Sequence, residues 1–296
     1  FNEDVTFIQN GTGALRPAHN GVSTFAKNIS TIGSTAVITF AASNGTVAFD
    51  GTAAQSISGS PVYAPIMRRM NVSNASGGLT LNVPVTVNVA LTLNSGLVYT
   101  TNTNLLIIDN GVSSVSGVSN ASYVEGPVRK VGTQAFTFPV GKNGKYRPIG
   151  MSAPTGATSH FTAEYKNSDP GLLYSILSLV LSLKQVSRCE YWTLQRTNGS
   201  ANVSVSLSWD ASSCAVGSPA DLKVTSWFPL LSVWQDLGSG SFSGSSAAGT
   251  IVSNSAVSNF GVFTLASTNA NVTLPVELMN FDALIVNDNT QIDWKT

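Results

Sequence analysis

The carboxylates are the residues of this sequence whose chemistry could support catalysis, and they are sparse. Glycoside hydrolysis needs two carboxylates a few ångströms apart in a cleft. In the stretch from 45 to 120 the sequence has only Asp50 and Asp109. Only folding could pair the later carboxylates, so the sequence identifies no catalytic residue and we expect that the chain is not an enzyme. The candidates in the second half are Glu164, Asp169, Glu190, Asp210 and Asp221.

The histidines offer little support for a metal or an acid–base site. His19 and His160 are far apart and fall in different predicted domains, so surface or strand positions are expected for both. The sequence has no HExxH zinc motif, no GxSxG nucleophile motif and no phosphate-binding glycine loop. We therefore expect no metal site and no cofactor.

Cysteine chemistry points to a disulfide. Cys189 and Cys214 are the two cysteines of the sequence, and both lie in its strand-rich second half. In a chain of extracellular type a disulfide is the natural prediction, and the alternative is a pair of buried free thiols. No histidine or third cysteine lies near enough in the sequence to suggest a metal site.

Tryptophan side chains that are exposed together on one sheet can stack on sugar rings. Trp192 and Trp209 are the candidates for carbohydrate contact, with Tyr191, Trp227 and Trp234 close by in the sequence. Most of these residues alternate with polar residues in predicted strands, so packing in the core is the default expectation.

Charge is scarce and balanced, with 15 basic and 15 acidic residues. This balance excludes a general electrostatic affinity for nucleic acid or anionic membrane. The pairs Arg68–Arg69 and Arg129–Lys130 are too small for a nucleic-acid footprint, so we expect solvated faces or local ion pairs. The most apolar run, from Leu172 to Leu183, is too short to span a bilayer, and a buried strand pair or a short helix is expected there.

The elements that must carry these residues are short strands. Between Gly45 and Asp109, alternating apolar runs of a few residues recur between Gly, Asn, Ser and Pro. Such strands, with a repeat of about 20–25 residues, are typical of stacked rungs, so residues 1–120 are predicted to form a parallel β-solenoid (β-helix). The predicted inward positions are Val47, Phe49, Leu79, Leu81, Val85, Val87, Leu91, Leu93, Leu106 and Ile108, or their neighbours.

The composition of the sequence changes at about residue 121, where the content of charged and aromatic residues rises. Longer and more regular alternating runs, such as 160–165 and 203–209, predict an antiparallel β-sandwich over residues 121–270. Residues 271–296 are predicted to form a linker and the first hairpin of a following fibronectin-like β domain. The predicted fold class is therefore all-β.

Three stretches carry a resemblance to a known class of proteins. They are Phe136–Gly141 with Tyr146–Ile149, Cys189–Leu194 with Leu207–Asp210, and Leu274–Leu278 with Phe281 and Ile292–Thr296. Together they resemble large secreted surface proteins of Bacteroidetes, the cargo of the type IX secretion system. In such adhesin-like repeat proteins the LPVEL segment opens a fibronectin-like domain before a C-terminal sorting domain, which these residues do not include.

The resemblance implies a non-catalytic structural or adhesive module that is exported to the cell surface or the extracellular space. Its expected partners are a cell-surface or extracellular protein or a glycan, and the secretion machinery during export. The alternative is a carbohydrate-binding module, or the non-catalytic part of a polysaccharide-active enzyme. Two apolar segments, Leu172–Lys184 and Trp227–Trp234, depart from the pattern of the family.

Overall fold

The computed structural model describes residues 1–9, 18–33, 44–59, 65–214, 217–270, 280–286 and 289–295. Over these residues the predicted all-β fold is confirmed. In these ranges the strands form five sheets, and the helical elements are two short 3-10 turns at Pro170–Leu172 and Pro219–Asp221. Among the described residues, no helix has the length and hydropathy needed to cross a lipid bilayer.

The first half of the chain is the predicted parallel β-solenoid. Two parallel ladders of six strands each run along it. The first ladder consists of Val5–Gln9, Ile29–Gly33, Gln55–Gly59, Leu79–Leu81, Val98–Tyr99 and Val124–Glu125. The second ladder consists of Val22–Phe25, Thr46–Phe49, Ile66–Ser73, Val85–Ser95, Leu106–Ile108 and Val128–Val131. The short strand Val115–Ser116 also pairs with Val85–Ser95.

The solenoid core consists of columns of stacked side chains. Alternation along each strand turns one set of residues inward, and parallel pairing in register places like positions above each other. Phe25 pairs with Phe49, which pairs with Val72, and the Phe25 and Phe49 rings are 6.1 Å apart between centroids. All ten predicted inward residues are at most 1% exposed, so this part of the prediction is confirmed.

Buried amide side chains complete the corners of the solenoid. The Asn74 side-chain amide donates to the carbonyl oxygens of Ala53 and Gly78 and to the Gln55 side chain. Gln55 donates in turn to the carbonyl oxygen of Phe25. Gly96, with a φ of +80°, leaves no room for a side chain because a Cβ atom would lie 1.7 Å from the Asn74 carbonyl oxygen. The corners therefore depend on particular residues.

The solenoid passes directly into the second half of the chain. Its last strand, Val128–Val131, pairs in parallel with Leu106–Ile108 on one side and antiparallel with His160–Lys166 on the other. The change from parallel to antiparallel pairing thus lies after the predicted boundary between residues 120 and 121. The rise in charge that suggested a new domain belongs to the last rung of the solenoid, which contains Glu125, Arg129 and Lys130.

The second half is built from two facing antiparallel sheets, as predicted. The large sheet extends the second solenoid ladder, and one hydrophobic cluster runs without interruption from Phe25 in the solenoid to Leu265 in the sandwich. The strands of the large sheet are His160–Lys166, Tyr191–Asn198, Gly261–Ser267, Leu222–Phe228 and Val233–Asp236, with Gln185–Val186 beside Gly261–Ser267. The small sheet contains Phe136–Phe138, Ile149–Met151, Val205–Asp210, Ala248–Val252 and Ser241–Gly244. A two-stranded sheet joins Gly141–Lys142 to Lys145–Tyr146.

The apolar segment Leu172–Leu183 forms neither a strand pair nor a helix, apart from the 3-10 turn at its start. It runs as turns and bends against the outer face of the large sheet, held by a single parallel bridge between Leu179 and Trp234. Its apolar residues divide between the two sides of the segment, because a second, smaller hydrophobic cluster covers only one side. The prediction of a buried strand pair or a short helix over Leu172–Leu183 is therefore wrong.

The predicted hairpin near the C-terminus is present. Asn280–Val286 pairs antiparallel with Asn289–Lys295. The predicted linker and the LPVEL segment, residues 271–279, lie outside the described residues.

Candidate functional site

Three of the residues in the stretches that carry the family resemblance meet at one place. Arg147 precedes the strand Ile149–Met151 of the small sheet, and Asp210 ends the strand Val205–Asp210 of the same sheet. Glu190 directly precedes Tyr191–Asn198 of the large sheet. The cluster therefore links the two sheets of the sandwich, and we call it the arginine clamp.

The Arg147 guanidinium holds both carboxylates. Its Nε donates to Glu190 Oε2 over 3.1 Å and its Nη1 donates to Asp210 Oδ2 over 2.8 Å. Its Nη2 donates to Asp210 Oδ1 and, over 2.7 Å, to Ser212 Oγ. The side chains of Arg147 and Glu190 are 3% and 1% exposed, whereas that of Asp210 is 34% exposed. Two of the three charges are thus fully desolvated and depend on each other.

The large sheet contributes two further hydrogen bonds to Glu190. Tyr165 Oη donates to Glu190 Oε2 over 2.8 Å, and Thr264 Oγ1 donates to the Glu190 carbonyl oxygen over 2.7 Å. Glu190 Oε1 is buried without a hydrogen-bond partner among the described residues. An unsatisfied buried oxygen is costly, so Glu190 is held by Arg147 rather than by full hydrogen bonding.

The protonation states of the clamp are held by its own members. Burial opposes ionisation of Asp210, but hydrogen bonds from Arg147 and Ser212 outweigh burial and keep the pKa of Asp210 below its usual value. Burial also opposes the charge on Arg147, yet the two carboxylates raise the pKa of Arg147. Burial, reinforced by Glu190, raises the pKa of Tyr165. None of these shifts moves a pKa towards neutral pH, and general acid–base catalysis needs a group whose pKa lies near the working pH.

The geometry of the clamp is unsuited to glycoside hydrolysis. The guanidinium occupies the space between Glu190 and Asp210, where a glycosidase would hold the scissile bond and a water molecule. Both carboxylates accept hydrogen bonds from the same guanidinium, and the lowered pKa of Asp210 keeps that carboxylate from serving as a proton donor. What the arrangement can do is tie the two sheets together by charge-assisted hydrogen bonds.

A disulfide lies next to the clamp. Cys189 and Cys214 are bonded, so the predicted pairing is confirmed. The Cys214 amide also donates to Cys189 Sγ over 2.9 Å. The bond joins the residue before Glu190 to the loop that follows Asp210, which makes the clamp and the disulfide one brace between the sheets.

The two predicted carbohydrate contacts are core residues. Trp192 is fully buried and its Nε1 donates to the Arg147 carbonyl oxygen over 2.8 Å. Trp209 is 2% exposed and its Nε1 donates to the Ser245 carbonyl oxygen, also over 2.8 Å. A buried indole offers no face to a sugar ring from solvent. The structure therefore does not support carbohydrate contact at Trp192 or Trp209, and the default expectation of core packing describes them.

The other candidate residues stay apart from the clamp. Glu164 pairs with Lys166 on the same strand, and Asp169 accepts from the Gly171 amide and pairs with Arg188. Asp221 accepts from the Asn269 side chain over 3.4 Å. His19 is exposed in a turn of the solenoid, and His160 begins the strand His160–Lys166 of the large sheet.

Sequence reasoning missed a buried cation at the junction between solenoid and sandwich. Lys130, expected on a solvated face or in a local ion pair, is fully buried and donates to the carbonyl oxygens of Asp109 over 2.7 Å and Val112 over 2.5 Å. Its Nζ also lies 5.3 Å from the centre of the Phe136 ring. Burial lowers the pKa of Lys130 to about 8. Alternation in the run Val128–Val131 was a usable signal, because it turns Lys130 inward together with Val128.

A surface cavity of about 500 Å³ lies away from the clamp. It is bordered by Ser182, Leu237 and Asn254, and its one carboxylate, Asp236, already accepts a hydrogen bond from the Gly238 amide. Within the described ranges, no group of three or more His, Cys, Asp or Glu residues could hold a metal ion. The cavity therefore shows no convergence of reactive groups.

No protein-family model, no curated protein and no solved structure matches this chain. Inference about its function rests on the sequence pattern and on the geometry given above.

Proposed function

We propose that this chain is a non-catalytic structural and adhesive module of a large secreted cell-surface protein, exported as cargo of the type IX secretion system. The sequence resemblance supports the export route. The disulfide is consistent with an oxidising extracellular location, since such bonds are rare where thiols are kept reduced. Its partners would be an extracellular protein or a glycan, with no role for nucleic acid.

The observation that carries the structural role is the continuity between the two halves. Val128–Val131 is hydrogen-bonded to the solenoid on one edge and to the sandwich on the other, and one hydrophobic cluster lies beneath both. Bending at this junction would break backbone hydrogen bonds and expose apolar core. Such a body is suited to hold a binding surface at a fixed distance from the cell.

The arginine clamp supports a structural role in a different way. A buried guanidinium between two carboxylates on facing sheets loses its compensation if the sheets separate, because the charges are then unpaired. The disulfide crosses the same region. Both features resist separation of the sheets, as a surface protein under mechanical tension requires.

The carbohydrate-binding alternative depended on two tryptophans that are not accessible from solvent. Trp192 and Trp209 were its candidate contacts, and both rings are buried. No other observation in the described residues favours this alternative, so it is not proposed as a second function.

In the first test, beads coated with the purified chain pass under shear flow over immobilised polysaccharides and extracellular proteins. The second test assays the same polysaccharides for release of reducing ends after incubation with the chain. We expect saturable retention on some surface and no release of sugar. Release of reducing ends from any polysaccharide would contradict the proposal, because it would require a catalytic site in this chain.

A further inference from the structure

Six exposed leucines come from two neighbouring segments at the outer face of the large sheet. Leu172, Leu173, Leu177 and Leu181 belong to the segment 172–184, and Leu230 and Leu231 belong to the turn after Leu222–Phe228. Their side chains are 78%, 68%, 89%, 95%, 84% and 67% exposed, respectively. We call these six residues the leucine face.

The two segments are fixed to each other by backbone hydrogen bonds. The Trp234 amide donates to the Ser178 carbonyl oxygen over 2.8 Å, and the Val180 amide donates to the Trp234 carbonyl oxygen over 3.2 Å. These bonds place the segment that contains Leu177 and Leu181 alongside the strand that follows Leu231. Leu177 and Leu181 therefore lie in a segment that is hydrogen-bonded to the strand directly after Leu230 and Leu231.

The inner side of this layer is packed by aromatic rings. The ring of Tyr174 lies 5.4 Å from that of Trp227 and 6.0 Å from that of Trp234, and the two indoles are 5.5 Å apart. Ile176, Leu179 and Val180 are partly buried against the same cluster. The segment is thus apolar on both sides, and among the described residues only its inner side is covered.

The leucine face has the size of half an interface between protein subunits. One leucine side chain presents roughly 80 Å² of apolar surface, so six that are mostly exposed present on the order of 400 Å². Two such faces in an interface that is about 65% apolar correspond to about 1,200 Å² in total. This value lies at the lower end of the range of about 1,200–2,000 Å² for stable interfaces.

The absence of charge favours a second copy of this chain as the occupant. Residues 170–183 and 227–235 contain no Lys, Arg, Asp or Glu. Two copies can therefore approach about a twofold axis without like-charge repulsion, as an isologous interface requires. A surface that binds anionic lipid usually adds several Lys or Arg around its apolar residues. The segment 172–184 supplies only Lys184, whose Nζ donates to the Leu181 carbonyl oxygen over 3.4 Å, and the turn that contains Leu230 and Leu231 supplies none.

We infer that the leucine face is the interface of a symmetric homodimer. The dimer goes beyond the proposed adhesive role and does not depend on it, since it follows from the outer side of one apolar layer. It would double the number of solenoids carried by each assembly and so permit bivalent attachment.

The test is sedimentation velocity of the purified chain over a concentration series, with Leu177→Asp and Leu231→Asp as variants from the two segments. Each variant places a carboxylate in the apolar interface, so the dimer dissociation constant is expected to rise by at least about 100-fold. The matched control is Val22→Asp, which changes a 66% exposed apolar residue on the first rung of the solenoid. This control is expected to dimerise like the unchanged chain.

Hydrogen exchange of the unchanged chain gives a second test that depends on no variant. Amides of residues 172–183 and 229–233 are expected to exchange more slowly at high protein concentration than at low concentration. A chain that stays monomeric up to about 100 μM, above the micromolar limit of standard interfaces, would overturn the inference. Equal weakening of the dimer by Val22→Asp, or binding of the monomer to neutral lipid vesicles without dimerisation, would also overturn it.

Discussion

The solenoid and the sandwich are held together by different kinds of contact. In the solenoid, side chains at equivalent positions of successive rungs stack on each other, as the ring of Phe25 does on that of Phe49. In the sandwich, Arg147 reaches Glu190 and Asp210, which lie 43 and 63 positions further on. The first kind of contact is repeated at every rung, whereas the second occurs at one place.

This difference determines how each half responds to damage. Loss of one contact in a stack leaves the neighbouring rungs in place, because each rung contacts only those above and below it. Loss of the clamp removes a connection between facing sheets that no repeat replaces. We therefore expect the largest single effects on stability in the sandwich and smaller ones in the solenoid corners.

The largest effect is expected from Arg147→Ala. The substitution leaves the buried Glu190 and the partly buried Asp210 without their cation, so the free energy of unfolding should fall by about 3–5 kcal/mol. Urea denaturation measures this change. The matched control is Arg188→Ala, which removes a surface ion pair with Asp169 and should cost less than about 1 kcal/mol. Equal effects of the two substitutions would show that the clamp adds no stability.

Reduction of the disulfide is expected to have the next largest effect. Opening a loop closed by cysteines 25 positions apart should lower the free energy of unfolding by about 3 kcal/mol. The measurement is urea denaturation with and without a reductant, and the Cys189→Ala, Cys214→Ala double variant serves as a control that the reductant no longer affects. An unchanged midpoint on reduction would mean that the clamp alone holds this part of the sandwich.

Because Lys130 is buried at the junction, we expect the free energy of unfolding to depend on pH. Its folded pKa of about 8 lies below its ordinary value of 10.5, so above pH 8 the unfolded chain binds more protons than the folded chain. Stability should therefore rise with pH, by about 2 kcal/mol between pH 8 and about pH 9.5. Denaturation at these pH values measures the rise, and Lys130→Met should remove it. Stability that falls over this interval in the unchanged chain would contradict the placement of Lys130.

The smallest effect concerns a corner of the solenoid. Asn74→Ala removes the buried amide that satisfies the carbonyl oxygens of Ala53 and Gly78, and the free energy of unfolding should fall by about 1–2 kcal/mol. Asn94→Ala is the matched control, since the side chain of Asn94 is exposed and bonds to Asn71 on the outer surface. A loss as large as that of Arg147→Ala would remove the contrast between the two halves.

The two halves also differ in how far their structure follows from local sequence. The ten inward positions predicted for the solenoid followed from alternation over a few residues, because the buried column is set by each strand separately. The arginine clamp could not be derived in this way. Its three residues were singled out in separate stretches of the sequence, but only the pairing of distant strands brings Arg147, Glu190 and Asp210 together.

Two expectations failed because composition does not indicate which side of a segment is covered. Lys130 was expected on a solvated face or in a local ion pair, although its alternation with Val128 placed it inside. The run from Leu172 to Leu183 was expected to form a buried strand pair or a short helix, yet Leu177 and Leu181 are exposed. In both cases a long-range contact, with Asp109 or with Trp234, decides the outcome.

The central claim is that the solenoid and the sandwich form one continuous structure. Its most direct test is whether these two halves unfold together. Four of the five tryptophans lie in the sandwich and the fifth, Trp294, lies in the C-terminal hairpin, so tryptophan fluorescence does not report on the solenoid. Far-UV circular dichroism reports on the strands of both halves. We expect the two signals to change at the same urea concentration, as in a single cooperative transition. Separate midpoints, with the solenoid unfolding apart from the sandwich, would contradict the continuity of the two halves.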